Sequence, residues 1–479
     1  MYDDFQLGFN LWDYNPVWEV LMTFAIILGV VLLANLLRRT IKPVNKLLLP
    51  SPVTGGFLLL FIGGLWTSIA GVPLVQTSFL EIITYHGFGL GFTAIAMKVV
   101  SKKRKKAGRD VFNSALVAAS SYVLYAVLGL AISITLFLTL DIFFASGMLL
   151  SMSFAGGPGM ALIWGNVYET SWGFTHGTSF ALSLVATGYL ACSIGGAIYL
   201  NGLKRKGDPR VLGKLSDGDF VEEKFKVEDI AAPDEIPMSD SVDKLTVQFG
   251  LVIFAYMVGF GIISFLSYLT ILSNVEFLVE TLMPMLWSFN FIFGTLSGVL
   301  VKKVLLKGME KGFIKRQYIN NLFMDRVAGL FFDIMVIAAL GAISLVAFRE
   351  TSILIPMIVM SIVGAVVTYF YIKDVTKRLF PTYEQEAFLG FYGMMTGTAS
   401  TGVILLREID PRFETPTAKN MVYQTVFAAM MGLPLLMFMG IAPRSPQMTY
   451  LTFGILTVMF FGFYIWIRFA ARKVKKDAS

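Results

Sequence analysis

The chain is poor in the residues that most catalytic and metal centres need. In 479 residues it has one cysteine, Cys192, and two histidines, His86 and His176. One cysteine excludes a disulfide framework and a cysteine-ligated metal site, and two histidines argue against a zinc or haem centre. Charge is also scarce, at 15% of residues, where soluble domains carry about a quarter. A water-soluble multidomain enzyme does not fit that balance. Apolar residues fill the space instead, at 56% of the chain with a mean hydropathy of +0.70. They come in runs of 20 or more between short charged loops, the pattern of many membrane-spanning helices. The net charge of +7 does not require a nucleic-acid partner, because positive charge also collects on the cytoplasmic face of membrane proteins.

Runs long enough to cross about 30 Å of hydrocarbon predict eleven spans, at 17–37, 53–72, 79–97, 112–140, 177–200, 245–271, 277–301, 327–347, 352–372, 420–441 and 448–468. Two further apolar stretches, 143–166 and 384–407, are interrupted by glycine and hydroxyl residues. The first residues, with Asp3 and Asp4 and no basic cluster, do not read as a cleaved signal peptide. Lysine and arginine are retained on the cytoplasmic side. With these spans, all of the 39 basic residues except Arg349 and Arg444 fall on one side. The reading is therefore an extracellular N-terminus (1–16) and a basic cytoplasmic tail at the end of 448–479.

That assignment requires both interrupted stretches to turn back. The basic loops ending at Arg109 and beginning at Lys204 share a side, so an even number of crossings separates them. Three apolar stretches fill the interval, and the one broken by glycines is the natural re-entrant element. The same parity holds for 384–407 between Arg378 and Arg412. Backbone leaves helical geometry at membrane depth only where protein or a water-filled cavity satisfies its polar groups. The first stretch would dip in from outside and the second from inside.

The order of elements then repeats: four spans, a broken stretch and a fifth span, at 17–200 and at 245–441. Five crossings is odd, so the second copy is inverted. The fold class expected is an all-α polytopic membrane protein with two inverted repeats, each of five transmembrane helices plus a re-entrant hairpin, and an extra C-terminal helix. Residues 201–244, rich in both charges, read as a cytoplasmic linker. Inverted repeats with broken helices at matching places point to a secondary transporter with its site between the repeats.

The first broken stretch contains Ser153-Phe154-Ala155-Gly156-Gly157-Pro158-Gly159. Glycine permits the turn and close backbone approach to a ligand, and proline starts the second half-helix well. A half-helix N-terminus inside the bilayer offers free N–H groups and positive dipole to a carboxylate. The second contains Thr396-Gly397-Thr398-Ala399-Ser400-Thr401-Gly402, whose neutral oxygens suit a hard monovalent cation or a carboxylate. Three polar residues within spans complete the candidate set. Asp333 is an intramembrane carboxylate of the kind that lines ion paths, with structural pairing to Arg326 as the plain alternative. Asn290 and Gln424 are intramembrane amides. Thr398, Ser400, Thr401 and Asp333 are the candidate Na⁺ ligands. Glu81, His86 and Arg407 read as interface or loop residues, and Cys192 as a packing residue.

Several patches resemble the bacterial sodium/glutamate symporter family. Pro50-Ser51-Pro52-Val53-Thr54-Gly55-Gly56 looks like that family's Pro-x-Pro-Val-x-Gly-Gly. Ser153 to Gly159 is similar to its first hairpin, with Pro158 where the family has a histidine. Trp164, Gly173-Phe174-Thr175 and Gly195-Gly196 match further positions, and Gly397-Thr398-Ala399-Ser400-Thr401 resembles the second hairpin. The resemblance covers 17–441 in order of elements. It implies a Na⁺-coupled importer of acidic amino acids in a bacterial cytoplasmic membrane, a homodimer whose hairpin-bearing core moves against a scaffold, with Na⁺ as coupling ion and no other cofactor. From it Gly156, Gly157, Gly159, Gly397, Thr398, Ser400 and Thr401 are carried over as site positions. The expected function is Na⁺-coupled symport of glutamate or a related small carboxylate; the rival within transport is an H⁺-coupled carrier or organic-anion exchanger using Asp333. An enzyme is not expected.

Overall fold

The computed structural model describes residues 16–41, 44, 47–99, 108–140, 142–208, 243–275, 279, 283–411 and 413–478. The expected extracellular N-terminus and most of the linker lie outside them. Among the described residues the chain is all-helical, without a β-strand. Sixteen α-helices run, in order, α1 Pro16–Thr40, α2 Ser51–Ala70, α3 Thr77–Met97, α4 Arg109–Leu140, α5 Met148–Phe154, α6 Gly157–Trp172, α7 Gly177–Arg205, α8 Lys244–Leu272, α9 Met283–Ser288, α10 Asn290–Glu310, α11 Asn321–Gly341, α12 Thr351–Leu379, α13 Glu384–Thr396, α14 Ala399–Arg407, α15 Thr417–Ile441 and α16 Pro446–Ala478.

Eight of these helices, rather than the eleven expected, are long and apolar enough to cross a membrane: α1 to α4, α7, α8, α12 and α16. A ninth candidate is α15, bent by 54° between Thr425 and Met430. The other two expected spans differ for visible reasons. The 277–301 stretch is broken at Phe289, and its helix α10 continues to Glu310 past Lys302, Lys303 and Lys307. The 327–347 stretch is α11, which starts earlier, carries Asp325, Arg326 and Asp333, and gives way to a 3₁₀ turn at Leu345–Arg349. The surface is apolar where lipid would lie; Ile69 is 78% exposed and Val458 72%, which fits helices solvated by hydrocarbon and not by water.

Local chemistry sets the helix ends. Asp243 caps α8 by accepting from the Thr246 N–H at 3.0 Å, and Asn320 caps α11 by accepting from Phe323 N–H at 3.1 Å, each satisfying an orphan donor. Gly71 closes α2 and Gly173 closes α6 in the left-handed conformation, with φ of 73° and 69°, which glycine adopts without a Cβ penalty.

The helices pack in two groups. In the first, α1 packs on α2, α2 on α11 and α11 on α3; in the second half of the chain α8 packs on α10 and α10 on α3. Glycines allow close packing within this group: an alanine Cβ at Gly56 would lie 2.7 Å from Leu340, and one at Gly294 would lie 2.5 Å from Thr93. In the second group, α4 packs on α5, α12, α15 and α16, α7 on α6 and α12, and α13 on α12 and α14. Each half of the chain thus contributes its first three spans' worth of helix to one group. The next helix, the broken pair and the helix after it go to the other. The groups meet through α6, which packs on α3 and α11, and through a hydrogen bond from Ser193 in α7 to the Leu47 carbonyl.

Candidate functional site

The broken pairs α5/α6 and α13/α14 are built by different means. In the first, the Gly156 N–H reaches back five residues to the Ser151 carbonyl at 3.3 Å, and Gly157 then turns at φ 71°. An L side chain strains there, and Gly157 relieves the chain of that cost. In the second, α13 ends at Thr396 and the N–H of Thr398 donates to the Thr401 hydroxyl at 2.9 Å, a capping box that starts α14. The same Thr401 hydroxyl donates to the Gly393 carbonyl at 2.7 Å and so ties the two limbs together. Gly393 packs directly on Gly402, where a Cβ would lie 2.6 Å from the facing Cα.

Contacts join residues before and after each pair, and the first limb to α4. The Ser133 hydroxyl donates to the Phe144 carbonyl at 2.8 Å, and the Tyr122 hydroxyl to the Ala155 carbonyl at 2.8 Å. The first limb therefore runs back along α4 for about 16 Å at helical rise, roughly half a hydrocarbon core. Phe143, before the pair, stacks on Phe174, after it, with ring centroids 4.7 Å apart. At the other pair, Tyr383, before α13, donates to Asp110 at 2.7 Å and accepts from Asn420, near the start of α15, at 3.2 Å. Burial, and then the Asp110 carboxylate, push the Tyr383 phenol up from its ordinary value.

The two tips converge on the middle of α7. Ser153 donates to the Ala181 carbonyl at 2.8 Å, while Tyr392 donates to the Ala191 carbonyl at 2.8 Å. Between them lies Gly188, where a Cβ would stand 2.6 Å from the Thr396 carbonyl oxygen and 3.3 Å from the Phe154 ring. One pair occupies the first half of α7 and the other its second half. At the junction, a Cβ on Gly157 would lie 3.5 Å from the Thr398 methyl and 3.6 Å from the Gly397 carbonyl. The N-termini of α6 and α14 meet there, so two positive dipole ends share one place. Tyr125, on α4, holds the tip of the second pair by donating to the Met395 carbonyl at 2.9 Å.

The predicted residues divide by what their polar atoms already do. The Ser153, Thr396 and Thr401 hydroxyls donate to backbone carbonyls of the protein itself, so they brace the pairs. Gly156, Gly157, Gly397 and Thr398 are at the junction. Gly159 is in the first turn of α6 and seats it on the first group, where a Cβ would lie 2.2 Å from the Phe88 ring. Ser400 is exposed beside the half-buried Thr398. Gln424 is buried on α15 near Met394, one turn from the tip, and its side-chain oxygen has no hydrogen-bond partner. Asn290 is not brought to the tips; it is buried at the α9–α10 break, donating to the Tyr85 carbonyl at 3.2 Å and the Tyr256 hydroxyl at 3.0 Å. His86 joins the same cluster, 3.1 Å from Tyr256. Asp333 is exposed on α11, and no ion pair or hydrogen bond holds it among the described residues. The alternative pairing of Asp333 with Arg326 is thus not made among the described residues. Arg407 ends α14 over the Phe413 ring, 5.2 Å from its centroid.

Sequence reasoning passed over Tyr122 and Tyr125, which clasp the two tips from α4. A phenol in mid-span must find a partner at membrane depth, and two of them one turn apart were the available signal. Among the described residues no group of three His, Cys, Asp or Glu side chains is placed to hold a metal ion. The chain matches no protein-family model, no curated protein and no solved structure.

Proposed function

We propose that the protein is a secondary active transporter, a Na⁺-coupled symporter of glutamate or a related small carboxylate. The observation that carries this reading is the meeting of two helix N-termini, α6 and α14, at the tips of two broken pairs. Convergent N–H groups and dipole ends favour an anion, and carbonyls and hydroxyls beside them suit Na⁺. In this reading the broken pairs are re-entrant hairpins that enter from opposite faces, and the halves 17–200 and 245–441 are inverted repeats. The equivalent packing of α1–α2–α11 and α8–α10–α3 supports that symmetry. The group containing α1 to α3 and α8 to α11 serves as scaffold. The group with the hairpins moves against it, and the chain acts as a homodimer in the cytoplasmic membrane with its N-terminus outside.

Coupling requires that the moving state be favoured only when both ligands or neither are bound, which is a difference in affinity between conformations. The seating of α6 on α3 and α11, with Ser400 of α14 exposed, supports a state closed on the first hairpin's side. The test is uptake of labelled glutamate, aspartate and dicarboxylates into proteoliposomes with Na⁺, K⁺ or H⁺ gradients imposed in turn. Accumulation driven only by inward Na⁺ is expected. Flux indifferent to every gradient would make it a channel, and no uptake of any small acid would remove the reading.

A second reading, H⁺-coupled carriage or exchange, is favoured by one observation: an unpaired carboxylate, Asp333, on a helix at the scaffold's centre. If the hairpin tips carry the coupling, Asp333→Asn keeps Na⁺-dependent uptake within about threefold, or about 0.7 kcal/mol. Loss of uptake, rescued by Asp333→Glu and driven by a pH gradient, would transfer the role to Asp333.

A further inference from the structure

We propose that the Tyr189 hydroxyl is a direct ligand contact in the anion site, donating to a carboxylate oxygen of the bound acid. Tyr189 is fully buried in α7, and its hydroxyl makes no hydrogen bond. It stands apart from the other deeply buried phenols. Tyr125, Tyr168 and Tyr392 each donate to a backbone carbonyl, at 2.9, 2.9 and 2.8 Å respectively. A buried hydroxyl without a partner is costly and calls for an explanation.

Its position supplies one. Tyr189 follows Gly188, the residue on which both hairpin tips converge. Its ring lies 3.0 Å from where a Cβ on Gly397 would be. The hydroxyl lies beside the Thr398 side chain without reaching hydrogen-bonding geometry. It therefore sits at the N-terminus of α14, at the positive end of that helix. A phenol is a good donor to a carboxylate, and a bound acid would give this one the acceptor that the protein withholds. The Ser153, Thr396 and Thr401 hydroxyls hold the pairs, so Tyr189 supplies a buried donor that is not already spent.

This inference rests on the anion-site reading above, and the experiment separates the two. Purified Tyr189→Phe and Tyr392→Phe variants would be melted with and without glutamate and Na⁺, and glutamate affinity measured. Phenylalanine keeps the ring and its packing. Without ligand, Y189F should melt at or above the wild type, because it loses only an unsatisfied group. Its glutamate affinity should fall about tenfold or more, with a smaller ligand-induced rise in melting temperature. Y392F should do the reverse, melting lower yet keeping the ligand-induced rise. A Y189F protein with wild-type affinity, or one that melts several degrees lower without ligand, would overturn the proposal and leave the anion site standing. A wild type unaffected by glutamate, aspartate and dicarboxylates would sink the anion site and this contact together.

Discussion

Gly129→Ala is expected to leave little correctly folded protein. An alanine Cβ at 129 would lie 2.0 Å from the Gly147 carbonyl oxygen, and one at 147 would lie 2.0 Å from the Gly129 carbonyl. Both neighbours are backbone, so no side chain can swing aside. Helices usually pack 8–10 Å apart, and glycine facing glycine is what lets α4 and the start of α5 come closer. To admit a methyl group the two must separate by more than 1 Å. The Ser133–Phe144 and Tyr122–Ala155 hydrogen bonds, both 2.8 Å, bracket the contact and would be strained or lost together. A cost above about 3 kcal/mol is expected, at the upper end for single substitutions. Size-exclusion chromatography of the detergent-purified variant and its unfolding in denaturing detergent would read this. Gly454→Ala on α16, with nothing within 4 Å, is the control and should be neutral or slightly stabilising. A G129A protein as stable as G454A would mean that α5 does not lie against α4.

In the proposed transporter, Gly188→Ala should fold and yet lose most of its uptake. Its Cβ would stand 2.6 Å from the Thr396 carbonyl oxygen, in the last residue of α13 before the tip. Relief comes only by moving the tip of the second hairpin away from α7, and with it the N-terminus of α14. Displacement of a positioned group by about 1 Å can cost about a hundredfold. Uptake at low substrate should fall at least tenfold, while the melting temperature without ligand falls by only a few degrees. Gly202→Ala, further along α7 with no atom within 4 Å, should transport normally. Wild-type uptake by G188A would show that the tips are not the site.

How far the sequence carries this structure differs from element to element. The two breaks are legible because Gly156-Gly157-Pro158 and Thr396-Gly397-Thr398 interrupt an apolar helix, and the helices end there. The span count was less legible. Hydropathy alone merged α9 with α10, because Phe289 interrupts the helix without any change in composition. It also began the 327–347 span inside α11, since the amphipathic first turns with Asp325 and Arg326 are polar in sequence but helical in place. At the site, residue type could not tell a hydroxyl that binds a ligand from one that braces the hairpin. Thr401 looked like an ion ligand, yet its oxygen is engaged by Thr398 and Gly393. Asn290 looked like a lining residue, yet it ties α10 to α3 and α8 through Tyr85 and Tyr256. Which polar atoms remain unspent depends on tertiary contacts, and those appear only in the fold.

The convergence of the two hairpin tips is open to one direct measurement. Gly157→Cys and Thr398→Cys, combined in a Cys192→Ala background, would be oxidised in native membranes. The Gly157 Cβ position lies 3.5 Å from the Thr398 methyl, within the reach of a disulfide or a one-atom cross-linker. The pair should cross-link in most molecules, with uptake stopped and restored by reduction, while either single variant stays uncrosslinked. Two thiols that never cross-link, in a protein that folds, would place the tips apart and contradict the site built on their meeting.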